Sequence, residues 1–188
     1  SPIISGQKHP IIDKIFALRP ILKLPIWTPY RPAGWIGGLF PALANRLVIG
    51  MVLGNSALID PRDVRALAPR ALHAIPTSLI RQFANWWETG QKEAQNGKRV
   101  DYWQNLDKIE RPILLVAGGG DKLVPEYMIQ EVFDALGSKR KDMLLCSKAN
   151  GFAGDYGHID LLLGRSARYE IYPRIAEWLE HPEDGDSE

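Results

Sequence analysis

An α/β fold with parallel strands is predicted for this 188-residue chain by three observations. Two short apolar runs, Ile113-Leu114-Leu115-Val116 and Met143-Leu144-Leu145-Cys146, have the length and bounding of buried strands. A stretch with helical spacing, from about Pro125 to Leu136, lies between them, and another, from about Tyr169 to Leu179, follows the second. Each run empties into a loop rich in glycine, which marks the strand ends. Strand, helix, strand, helix in that order implies parallel pairing through a helical crossover.

The elements follow in chain order. Residues 1–7 read as the end of a core strand, Pro2-Ile3-Ile4, broken by Ser5-Gly6. Residues 8–100 read as a mainly helical cap. Ile11, Ile12, Ile15, Phe16 and Leu18 recur at helix spacing. Pro20, Pro25, Pro29 and Pro32 punctuate a loop that holds Trp27 and Tyr30. An apolar helix is predicted from about Ala33 to Leu53, interrupted near Pro41, which lacks an amide and clashes with the preceding turn. Asp60-Pro61 is a helix start, with Asp as N-cap and Pro in the first position. A further helix, from about Pro76 to Glu88, carries Leu79, Ile80, Phe83, Trp86 and Trp87 and stops at Gly90. Polar residues 91–100 read as a linker. Residues 101–181 form the strand–helix unit above, and 182–188 an acidic, disordered tail.

Two strands and a stub do not make a stable sheet. The remaining strands are expected from a preceding segment of the same polypeptide.

Composition narrows the function classes. The formal net charge is +1, and Lys and Arg are scattered apart from Lys139-Arg140-Lys141, so no basic face for nucleic acid is predicted. One cysteine, Cys146, excludes an internal disulfide framework. The four histidines, His9, His73, His158 and His181, have no His or Cys partner at ligand spacing, so no metal is expected. No apolar run reaches the roughly 18–20 residues that span a bilayer.

The candidate chemistry lies at the two strand ends. Asp121 follows Gly118-Gly119-Gly120, and His158 sits in Asp155-Tyr156-Gly157-His158-Ile159-Asp160-Leu161-Leu162-Leu163-Gly164. Loops at the C-terminal ends of parallel strands are where open α/β sheets place ligands. An imidazole exchanges its proton near neutral pH, and a buried acid beside it orients the ring. Two other acids compete for that role. Asp160, two residues after His158, reads more as an anchor of its loop by hydrogen bonds, and Asp155, at a glycine-rich loop position, is less suited to burial. Cys146 reads as a buried small hydrophobe rather than a nucleophile. Ser56 lacks the second glycine of a nucleophile turn, and Ser1 fits a strand stub better than an amine-assisted nucleophile.

The segment from about Tyr102 to Leu179 resembles the C-terminal part of an α/β-hydrolase-fold lipase or esterase. The resemblance rests on the strand ending G-x-x-D-x-L-V-P, the helix after it, the second strand, the G-H-x-D-L-L-x-G loop and the closing helix ending Trp178-Leu179. It implies a partial α/β-hydrolase fold, with Asp121 as the acid and His158 as the general base of a triad in the order acid then histidine. The helical region before it is similar to the cap that many family members insert. Its aromatic residues, Trp27, Trp35, Phe40, Trp86 and Trp87, are candidates for binding a small hydrophobic ester or acyl substrate. Plain packing is the competing reading, and adjacent Trp86 and Trp87 point about 100° apart on a helix. No cofactor is implied. The serine of G-x-S-x-G is absent from this sequence and is expected in the segment that supplies the other strands. A Cys nucleophile there implies an acyltransferase or polyester synthase, and an Asp a dehalogenase or epoxide hydrolase. A binding module without catalysis is the third reading.

Overall fold

The computed structural model describes residues 39–44, 54–71, 92–93, 99–100 and 103–181. Its α/β character is as predicted: helices alternate with a small parallel sheet. The strand stub, the helices expected over 8–18 and 76–88, and the tail lie outside the described residues, as do Trp27, Trp35, Trp86 and Trp87.

Helix α1, Pro41–Ala44, starts at the proline expected to interrupt a longer helix. Helix α2, Pro61–Ala71, starts where Asp60-Pro61 predicts. The Asp60 carboxylate accepts the Arg62 amide at 2.8 Å, one of the donors that a helix start leaves without an intrahelical partner. Asp60→Ala is therefore expected to lower stability by about 1 kcal/mol in urea unfolding. An unchanged midpoint would show that this cap contributes nothing.

Within 91–100, expected to be a linker, strands β1 (Lys92–Glu93) and β2 (Arg99–Val100) pair antiparallel, Lys92 with Val100 and Glu93 with Arg99. The pairing brackets residues 94–98, so the two ends of the stretch read as a linker contact each other.

A 3₁₀ helix, Trp103–Lys108, leads into β3, Ile113–Gly118. Helix α3, Glu126–Ala135, crosses over to β4, Lys141–Cys146. The strands pair in parallel, from Ile113 with Lys141 to Gly118 with Cys146. Lys141, at the start of β4, donates to the carbonyls of Phe133 (2.8 Å) and Leu136 (2.9 Å), so a cation closes the C-terminal end of α3.

Three short helices complete the unit: α4 (Asp160–Leu163), α5 (Ala167–Glu170) and α6 (Tyr172–Glu180). The single helix expected from Tyr169 to Leu179 is thus broken at Ile171. Pro173 explains the break, because it has no amide to donate to the Tyr169 carbonyl and its ring would crowd that carbonyl. It sits instead in the first turn of α6, where no donor is required.

The main core lies on one face of the sheet. Cys146, Phe152, Tyr156, Ala167 and Ile171 are buried there, with Val116, Leu144 and Ile175 against them. In contrast, Ile113 to Val116 of β3 are only half-buried, and α3 and α6 contain no fully buried residue. Parallel strands are normally covered on both faces, so the described residues leave this sheet partly open. Among them no helix is long and apolar enough to cross a membrane.

Candidate active site

Asp121 is presented by a turn that the end of β3 makes against the second loop. Past Gly118, the Gly119 amide donates to the Cys146 carbonyl (3.1 Å), the Gly120 amide to the Tyr156 carbonyl (2.8 Å), and the Asp121 amide back to Gly118 (3.1 Å). The loop after β4 is tied in turn: the Tyr156 amide reaches the Cys146 carbonyl at 3.2 Å, and Asp155 accepts the Lys148 amide at 2.9 Å. The Tyr156 hydroxyl and the Ala153 amide both donate to Glu170 of α5. Successive parallel strands thus carry Asp121 and His158 to the same end of the sheet.

There the two side chains meet. His158 Nδ1 lies 2.9 Å from Asp121 Oδ2. The other carboxylate oxygen, Oδ1, accepts the amides of Leu123 (2.8 Å) and Val124 (2.9 Å). The Asp121 side chain is 4% exposed and that of His158 is 44% exposed. A carboxylate only accepts, so in the neutral form of the ring Nδ1 carries the proton and Nε2 is the basic nitrogen. That nitrogen has no hydrogen-bond partner among the described residues. A buried acid holding the far side of a half-exposed imidazole is the arrangement a general base requires.

Beside the pair is a cavity of about 500 Å³, walled by Val116, Ala117, Val124, Ile129, Leu161 and Ile175. Asp121 and His158 are the polar side chains of its lining. Phe40, the one candidate binding aromatic among the described residues, is 60% exposed and does not line it. Ser56 lies in a turn and does not line it either. A second cavity of about 510 Å³ surrounds Leu114, Asp142, Arg174 and Trp178, toward the strand starts and away from the pair.

The competing acids are engaged elsewhere. Asp160 accepts the amides of Gly157 and Asn55, and Asp155 holds Lys148, so neither reaches the imidazole. Burial raises the Asp160 carboxyl above the usual range, against the pull of those two amides. The sequence offered no signal for Asn55, which lies 105 residues from Asp160. Glu170 as the anchor of Tyr156 was equally without one.

Cys146 is fully buried, and burial, reinforced by Glu170 and opposed by Arg174, pushes its thiol up to about 11. It is accordingly expected to resist thiol reagents at pH 8 until the chain unfolds; rapid labelling of folded protein would contradict this. Linkage has a definite sign here. Unfolded, the thiol loses its proton near 9.0; folded, it keeps it to about 11, so its stabilising contribution disappears as pH rises across that interval. Cys146→Ala should flatten that part of the stability profile.

Among the described residues no three His, Cys, Asp or Glu side chains cluster to hold a metal ion. Comparison with protein-family models, curated proteins and solved structures found no match to this chain.

Proposed function

We propose that this chain is the C-terminal portion of a serine ester hydrolase of the α/β-hydrolase fold, supplying the acid and the histidine of its triad. The observation that carries the reading is the 2.9 Å contact between His158 Nδ1 and a carboxylate whose other oxygen is held by two backbone amides. The partial cover that the described residues give the parallel sheet supports it, because a further segment bearing strands and the nucleophile would cover Ile113 to Val116.

In this mechanism a serine hydroxyl from that segment attacks the ester carbonyl while His158 Nε2 takes its proton. The imidazolium then protonates the leaving alcohol, a water attacks the acyl-enzyme, and Asp121 holds the ring throughout. No cofactor enters. The apolar composition of the cap favours a small hydrophobic ester or acyl substrate.

The test is to translate the coding DNA upstream of Ser1 in frame, express the whole product, and assay short and medium acyl esters beside haloalkanes and epoxides. A G-x-S-x-G segment with ester turnover is the expected result, and the 188-residue chain alone is expected to be inactive. Turnover of haloalkanes or epoxides, or a Cys or Asp at the nucleophile position, would replace the ester reading. A start signal directly before Ser1 would leave only a binding role.

A further inference from the structure

Asp160 is 0% exposed, yet among the described residues no lysine or arginine pairs with it. Two backbone amides from distant parts of the chain converge on it. Gly157 donates to Oδ2 at 2.7 Å and Asn55 to Oδ1 at 3.0 Å. Gly157 immediately precedes His158, and Asn55 belongs to segment 54–59.

That segment runs along the histidine loop. Ile59 bridges Gly164, the Arg165 amide donates to the Leu58 carbonyl at 2.8 Å, and the Asn55 side-chain amide donates to the Asp155 carbonyl. The backbones are nearly in contact, since a Cβ on Gly157 would lie 2.2 Å from Gly54 Cα. An asparagine of the same shape would offer one acceptor and one donor, whereas both amides here require an acceptor. Only a carboxylate of this size satisfies both.

We infer that Asp160 is a positioning residue for His158: by tying the amide before the histidine to segment 54–59, it holds the imidazole at Asp121. The inference rests on the proposed pairing of those two residues. On its other side the loop is held by the Gly120–Tyr156 hydrogen bond, so the imidazole is fixed between two anchors. Among the described residues Asp121 raises the Asp160 carboxyl further, and Asp160 in turn helps to raise the Tyr156 hydroxyl. Burying this acid raises its carboxyl, mainly by desolvation, a cost that its two amide hydrogen bonds partly offset.

The test uses the imidazole tautomer of His158, read from its ¹⁵N shifts in the 188-residue chain at a pH where the ring is neutral. A free neutral imidazole favours the proton on Nε2, whereas a ring held by Asp121 carries it on Nδ1. The wild-type chain is expected to show the Nδ1-protonated form. Asp155→Asn, the same chemical change in the same loop, should leave it unchanged. Asp160→Asn should lose it, with the ring released about tenfold or more often, as expected for one buried hydrogen bond broken.

An unchanged tautomer in folded Asp160→Asn overturns the positioning role alone. A wild-type ring protonated on Nε2 overturns the Asp121–His158 pairing, and the positioning role with it. Should Asp160→Asn fail to fold, sub-denaturing urea on the wild-type chain gives the answer. Protection of the Gly157 amide from exchange and the Nδ1-protonated fraction should then fall together, and a tautomer that outlasts that protection overturns the inference.

Discussion

On the proposed hydrolase function, His158→Ala is expected to reduce ester turnover by about 10,000-fold or more in a product that joins this chain to a nucleophile-bearing segment, because no group remains to accept the hydroxyl proton. Asp121→Asn should cost a similar order for a different reason. Oδ1 of Asp121 is fixed by the Leu123 and Val124 amides, so an asparagine must keep its carbonyl oxygen there and turn its NH₂ toward Nδ1. That NH₂ needs an acceptor, which moves the ring proton to Nε2 and removes the base. Both effects are read as kcat/KM on a short acyl ester, with thermal unfolding to show that the variants fold. Near-wild-type turnover by His158→Ala would end the assignment. Full activity in Asp121→Asn would move the acid elsewhere.

Gly118→Ala should be the most informative stability variant. An added Cβ would lie 2.3 Å from the Tyr156 carbonyl oxygen and 2.9 Å from its carbon. These are backbone atoms, and the same oxygen already accepts the Gly120 amide at 2.8 Å, so neither strand end nor loop can give way freely. Overpacking of this kind costs about 1–3 kcal/mol. For a chain of this size that lowers the melting temperature by roughly 2–4 °C per kcal/mol. The comparison is Gly151→Ala. Gly151 has φ 83°, but nothing lies within 4 Å of its added Cβ, so the penalty is limited to left-handed backbone strain of about 1–2 kcal/mol. The Gly118 change should also push the histidine loop from the strand end and lower the Nδ1-protonated fraction of His158, which Gly151→Ala should not. The opposite ranking on both readouts would show that the approach of β3 to Tyr156 is not a constraint.

Much of the described fold was legible because its signals are local. The apolar runs over 113–116 and 143–146 lie within β3 and β4, and the stretch between them forms α3 within a residue of the expected bounds. Asp60-Pro61 starts α2 as a cap and first-turn proline should. The misses came from weighing one local signal over another. Apolar spacing suggested one closing helix, but Pro173 lacks the amide to continue it. At 91–100 polar composition suggested a linker, and the pairing of its two ends is a contact that composition does not encode.

The candidate site divides along the same line. Residue types, order and strand ends singled out Asp121 and His158 from the sequence, with Asp160 and Asp155 as alternatives of similar chemistry. Choosing among three carboxylates within a few residues of a strand end or the histidine depends on distance in space, which periodicity and turn residues do not encode. It took the parallel register of β3 and β4, the close approach of Gly118 to Tyr156, and an amide at Asn55 far along the chain that engages Asp160. Among the described residues, the sequence alone thus determined β3, α3, β4 and the start of α2, and which side chains could react. Tertiary structure alone decided which acid faces the imidazole, because hydrogen bonds between distant segments are set by how the elements pack and not by the local preferences that form them.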